Sequence, residues 1–321
     1  MVRCLRCLLS RSAKRWLTLA MFVAFMLTIA LMISHSEEVH GEELPTSPLP
    51  RSLELPPLAP DGDFVMKRLD LRRRYSSQHP ILLPSLRLVE FYKLQIPQRR
   101  AYLDTVASSL SKNYMFLYNN LAPEVYCPEL MRVGTTNDGG KWICSPFRIP
   151  SRCNIISLGM YNEITFEQEL QHITNKRCKL YAYDMNEQAP QTIANLRTIK
   201  AIARMATIAA ASDESRNEYT IDDLMNIEGI TDFEILKIDI EGSEFQVIPP
   251  LLQRHKPAQV LIEIHGSPAD TVSLLRKISS QGYWLYSYEI NGAWHHLCEF
   301  SFIHKSAFKR YGVTPVARYL D

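Results

Sequence analysis

Between residues 154 and 281 the chain alternates short apolar runs with amphipathic segments, and that alternation limits it to few architectures. Asn154–Leu158 (NIISL) runs into Gly159 and reads as a buried strand followed by a turn. Residues 165–174 carry helical polarity, with Thr165 as N-cap and acids in the first turn. Residues 179–183 (KLYAY) read as a second strand ending at Asp184, and residues 190–205 as a helix with proline in its opening turn. Residues 206–211 are expected to form a strand, 212–217 a polar loop, 220–225 a capped helix, and 233–238 (FEILKI) a buried strand ending at Asp239. A helix over 244–252, a strand at Gln259–Ile264 and a helix over 270–281 continue the series. Such a succession predicts an α/β fold, Rossmann-like, with a mostly parallel sheet covered by helices on both faces. Aromatic-rich runs at 283–288 and 295–304, joined by a turn at Glu289, Asn291 and Gly292, predict a terminal antiparallel hairpin.

The N-terminal part has another character. Residues 16–34 (WLTLAMFVAFMLTIALMIS) hold no charge and are long enough to cross a ~30 Å hydrocarbon layer as a helix. Arg3, Arg6, Arg11, Lys14 and Arg15 precede this run, and Glu37, Glu38, Glu42 and Glu43 follow it. The positive-inside rule then makes 1–15 a cytosolic tail, 16–34 a signal-anchor of type II topology, and the remainder lumenal (Golgi or ER) or extracellular. A cleaved signal peptide is the alternative, against which stand the long basic region and the absence of a clear A-x-A site. Residues 35–84, rich in proline, read as an extended stem, leaving 85–321 as the folded domain.

With 46% hydrophobic and 22% charged residues among 321, this is globular composition for one main domain. The formal charge of +2 and its concentration at the N-terminus give no nucleic-acid-binding surface. Cys127, Cys144, Cys153, Cys178 and Cys298 lie beyond the anchor, where an oxidising compartment would let some pair and the odd number leaves one over. None has a partner at metal-ligand spacing, so no metal site is assigned.

In open α/β sheets ligands bind beyond the carboxyl ends of the strands. The loop Gly159, Met160, Tyr161, Asn162, Glu163 follows the first strand, and its glycine would let backbone approach a ligand. Asp184 follows the second strand, near the offset at which an acid binds ribose hydroxyls, and that role is favoured over a simple helix cap. Ser212 and Asp213 could hydrogen-bond an adenine edge or merely cap a turn. Asp239, Glu241 and Glu244 crowd one strand end beside Gly242 and would repel one another unless a cation, a proton or a cationic ligand compensates them. A divalent metal could serve, and so could the sulfonium and amino groups of S-adenosylmethionine. His265, after the strand Gln259–Ile264, sits where a general base is useful.

Residues 219–252, with the core LKIDIEGSE, followed by VLIEIHG at 260–266, resemble the second half of the FkbM-type S-adenosylmethionine-dependent methyltransferases. Upstream, NDGGKWIC at 137–144 and ISLGMYNEITFE resemble the membrane-anchored, methyltransferase-like branch of that family. The likeness spans about 127–305. It implies a seven-stranded class I methyltransferase sheet, S-adenosylmethionine as cofactor, Gly159 in the cofactor loop, Asp184 on the ribose and Asp239 near the reaction centre. The family mostly methylates hydroxyl oxygens of sugars or small molecules. His265 is the expected base, with Asp239 and Glu241 orienting an unidentified hydroxyl-bearing acceptor. Two other readings compete: a catalytically silent binding module of the same fold, and a lumenal glycosyltransferase. The latter wants an Asp-x-Asp site on the folded domain, yet Asp61-Gly62-Asp63 lies in the stem and Asp239-Ile240-Glu241 is at best a variant.

Overall fold

The computed structural model describes residues 83–321. The expected tail and anchor, and nearly all of the stem, lie outside the described residues. Among the described residues no helix is long and apolar enough to cross a membrane.

Among the described residues three helices come first: α1 (Leu86–Leu94), α2 (Ile96–Ala107) and α3 (Tyr114–Asn119). A small hairpin of Leu130–Val133 with Lys141–Cys144 follows. The main sheet is then built from β1 (Asn154–Leu158), β2 (Lys179–Asp184), β3 (Ala201–Met205), β4 (Ile235–Ile238), β5 (Gln259–Ile264), β6 (Tyr283–Ile290) and β7 (Cys298–His304). Between and after them run α4 (Thr165–Ile173), α5 (Pro190–Thr198), α6 (Ile221–Glu228), α7 (Glu244–Arg254), α8 (Pro268–Ser280) and α9 (Phe308–Tyr311).

The seven strands lie in the order β6-β7-β5-β4-β1-β2-β3. All neighbours are parallel except β7, which runs antiparallel to both β5 and β6. Strand order reverses between β1 and β4, and that switch point opens a crevice at their carboxyl ends. Alternation along the strands feeds two cores. Ile156, Leu158, Leu236 and Ile238 face one side, toward α2, α6, α7 and α8. Ile155, Leu180, Ile235 and Leu261 face the other, toward α4, α5 and the small hairpin.

Three local expectations need correction. The segment expected as one helix over 190–205 breaks at Lys200, in left-handed conformation, and resumes as edge strand β3. Its sequence AIARM has high helix propensity, and pairing with β2 overrides that preference. The strand expected at 206–211 is only Thr207–Ile208, paired with Glu218–Tyr219 outside the main sheet. Thr165 is the first residue of α4 rather than its cap, and its hydroxyl accepts from the Thr135 N–H. Thr220 does cap α6, accepting from Asp223 N–H. The terminal hairpin forms as expected.

Disulfides join Cys127 to Cys144 and Cys153 to Cys178, and Cys298 is buried and unpaired. The second ties the start of β1 to the start of β2, at the end of the sheet opposite the crevice.

Candidate active site

The loop after β1 is held from two directions. Gly159 has φ +73°, and a Cβ there would stand 1.8 Å from the Asp239 carbonyl oxygen, so no other residue fits without moving backbone. Its own carbonyl accepts from Lys237 Nζ at 2.5 Å. Lys237 is buried within β4 and lies 3.7 Å from the wholly buried Glu167 of α4, whose Oε1 also accepts from Ser157 Oγ at 2.5 Å. Across the crevice, Asp184 Oδ2 accepts from the N–H groups of Met160 and Tyr161 at 2.7 and 2.8 Å, and Oδ1 from Asn186 N–H at 2.8 Å. Those bonds hold Tyr161 and Asn162 at φ +44° and +64°, where a tyrosine costs ~1–3 kcal/mol unless its surroundings enforce it.

Above these loops lies a cavity of about 510 Å³. Asp138, Glu163, Asp184, Asp239 and Glu241 are its acidic wall, and Lys237, already engaged, is its one basic lining residue. Met160, Tyr183, Ala206 and Ile208 provide an apolar side. The combination suits a cationic ligand that carries a flat apolar part. Met160, Ala206 and Ile208 could hold a flat ring, Asp184 a hydroxyl on its remaining acceptor site, and Asp239 and Glu241 a positive charge. A carboxylate offers about four acceptor sites, and three of those on Asp184 are taken.

The sequence-predicted residues separate here. Gly159, Glu163, Asp184, Asp239 and Glu241 come together on the cavity wall. Asn162 does not line it: its N–H donates to Gln188 Oε1 and its Oδ1 accepts from Ala189 N–H, so it clips this loop to the one after β2. Ser212 and Asp213 are also outside the wall. Ser212 Oγ donates to Asp223 and accepts from Thr220 N–H, while Asp213, half-buried, accepts from Ser215. The sequence places them after an expected strand over 206–211; because β3 ends at Met205, the cavity takes Ala206, Thr207 and Ile208 instead.

His265 stands behind Asp239 and Glu241. Its Nδ1 lies 3.1 Å from Glu244 Oε1, and its Nε2 lies 3.7 Å from Asp239 Oδ1 and 3.5 Å from Glu241 Oε2. Glu244 is wholly buried and also accepts from Ile240 and Gly242 N–H, so the ring is fixed by an anchored carboxylate. Burial alone would lower the His265 pKa, but the bond to Glu244 and the charges of Glu244, Asp239 and Glu263 raise it to about 9. Next to it on β5, Glu263 is pushed up to about 8 by burial and by the charges of Glu299 and Asp239, against Lys141 and His265. Lys141 pairs with Glu299 in the interior. Asp239, Glu241 and His265 offer ligand atoms within 4.8 Å of one another, and so do Asp138, Glu263 and Glu299, so either set could share a cation. Sequence reasoning missed Lys237, Glu263 and Lys141 as members of this network. Lys237 and Glu263 read as ordinary strand residues, and Lys141 lies in NDGGKWIC, where no strand is expected.

A family profile described as a methyltransferase domain matches residues 93–304. The chain belongs to that methyltransferase-domain family. No curated protein matches the sequence. Among solved structures it is similar to the methyltransferase FkbM of Methylobacillus flagellatus, at 18% identity over 65% of this chain and 60% of that one, with a TM-score of 0.38. A Methanococcus jannaschii fibrillarin, a pre-rRNA processing protein, is 11% identical over 55% of this chain and 82% of its own, with a TM-score of 0.35. A putative O-methyltransferase of Klebsiella pneumoniae is 9% identical over 74% and 96%, with a TM-score of 0.34. Identities and scores this low assign no substrate. The methyltransferase domain therefore rests on its profile match and on its own seven-stranded, Rossmann-like sheet.

Proposed function

We propose that this methyltransferase domain is an S-adenosylmethionine-dependent enzyme that methylates a hydroxyl on a sugar or small-molecule acceptor. The acid-walled cavity at the strand switch point, with Gly159 pressed against Asp239, carries the reading. When bound, S-adenosylmethionine supplies an electrophilic methyl group on a sulfonium. The chain's own residues then align the acceptor oxygen and take its proton. Asp239 and Glu241 accept from the acceptor hydroxyls and orient them. His265 Nε2, which faces these two carboxylates, would receive the proton of the acceptor hydroxyl. Glu244 keeps the ring in place and stabilises the resulting imidazolium.

In the ligand-free domain His265 already holds that proton, since its pKa is raised to about 9. The charge of Asp239 is among the causes of that shift, so a bound cation that neutralised it would lower the His265 pKa and favour the free base. The free enzyme should accordingly show kcat/KM rising with pH, about tenfold per unit, and levelling near pH 9. The sign follows from the base having to be neutral. His265→Gln should lower kcat and remove that limb; an unchanged profile would assign the proton to another group.

The binding step is tested by calorimetric titration of S-adenosylmethionine and S-adenosylhomocysteine into the wild type and Asp184→Ala. Removing the carboxylate frees three loop N–H groups as well as the ribose contact, and affinity should fall by at least ~100-fold. A well-folded wild type that binds neither compound would favour the silent module.

We further propose that residues 16–34 anchor the chain with 1–15 cytosolic, 35–84 as stem and 85–321 in the secretory-pathway lumen or outside the cell. Two disulfides in the domain accord with an oxidising compartment. The full-length chain should stay in the membrane pellet after alkaline carbonate washing; release into the supernatant would refute the anchor.

A further inference from the structure

The loop between β6 and β7 stands at the same end of the sheet as the cavity, because Ile264 of β5 pairs with Cys298, the first residue of β7. Its tip carries Trp294, a large aromatic side chain left 59% exposed. Asn291, buried at the base of the loop, bonds in both directions. Its Nδ2 donates to Asp138 Oδ1 at 3.3 Å and Glu263 Oε1 at 3.2 Å. Its Oδ1 accepts from the N–H groups of Ala293 and Trp294 at 3.0 and 3.1 Å. One amide thus fixes the backbone of Trp294 relative to Asp138 on the cavity wall and to Glu263 beside His265. The indole also has an aromatic neighbour: His296 packs against it in an edge-type contact at 6.2 Å and meets Tyr114 of α3 at 6.0 Å, while Tyr118 Oη donates to the His296 carbonyl at 3.1 Å.

We propose that Trp294 is the platform on which the ring of a pyranose acceptor lies, so that it sets acceptor specificity for the reaction proposed above and rests on that reading. A pyranose presents axial C–H groups on one face and hydroxyls around its edge. The first suit the negative face of an indole, and the second suit a rim of carboxylates such as Asp138, Asp239 and Glu241. A quaternary or primary ammonium would be served by several aromatic faces closing around it. Here a single exposed indole is offered, with His296 as its aromatic neighbour. Trp294 is three residues from Asn291 and four from β7, so it is placed by short, bonded backbone rather than by a long arm. Its role is positional: it holds the ring while the groups at the ends of β4 and β5 act on a hydroxyl.

The test uses the full-length chain in detergent, saturated with S-adenosylhomocysteine, and saturation-transfer NMR with methyl galactoside, methyl mannoside, methyl fucoside and choline as probes. At least one glycoside should bind in competition with its own excess. Trp294→Ala should weaken that binding by about tenfold or more, and Trp294→Phe by only a few-fold, with S-adenosylhomocysteine affinity unchanged in both. The proposal is overturned if no glycoside binds, if choline binds and the glycosides do not, or if Trp294→Ala leaves glycoside affinity intact. A wild type that ignores S-adenosylhomocysteine yet holds a glycoside through Trp294 would refute the methyltransferase reading and support the platform.

Discussion

Gly159→Ala is expected to abolish S-adenosylhomocysteine binding and to cost the domain roughly 3–5 kcal/mol, a fall in midpoint on the order of 10 °C. Two separate strains produce that loss. At φ +73° any side chain pays for a left-handed backbone, and the new Cβ would overlap the Asp239 carbonyl at 1.8 Å. The overlap cannot be relieved by a rotamer, since both partners are backbone. Either the β1 loop lifts away or the end of β4 does, and each carries a wall of the cavity: Met160 and Glu163 on the first, Asp239 and Glu241 on the second. Urea denaturation and calorimetry measure the two losses separately. A variant that unfolds at the wild-type midpoint and binds within a few-fold of wild type would show that this contact is not what shapes the site.

Lys237→Met should destabilise by about 3–5 kcal/mol, because it leaves the buried Glu167 carboxylate without its cation. Glu167 is in a poor position to lose a partner: it is wholly enclosed, one oxygen is shared by Ser157 and Lys237, and the other already has none. The double variant Lys237→Met with Glu167→Leu removes both charges, and such replacements are often neutral in stability. It should therefore recover most of the lost stability. Cofactor affinity should stay low, however, since the Gly159 carbonyl still lacks the ammonium that holds it at 2.5 Å. Recovery of both properties together would mean that Lys237 serves packing alone.

Legibility differed between elements for physical reasons. β1, β4 and β5 are buried on both faces, so they read as continuous apolar runs, and β5 has the bounds expected of it. β3 is an edge strand with Ile202 and Met205 exposed, its pattern is blurred, and the sequence suggests a helix there. That one error displaced the third wall of the cavity from Ala206–Ile208 to Ser212 and Asp213. Asp184 was legible as a strand-end acid, but its binding of two N–H groups from the opposite loop was not, because those groups are more than twenty residues away.

The sequence by itself determined the alternation of strands and helices, the parallel sheet with its closing hairpin, and the strand ends at which Gly159, Asp184, Asp239 and His265 fall. These follow from local period and turn chemistry, which neighbouring residues carry among themselves. Only the tertiary structure decided which of those ends share a cavity, that Gly159 meets the Asp239 carbonyl, that Lys237 and Glu167 support it from beneath, and that Glu244 and Asp239 raise the pKa of His265. Such facts depend on distances between segments remote in the chain, and charge and close contact act through space rather than along the sequence.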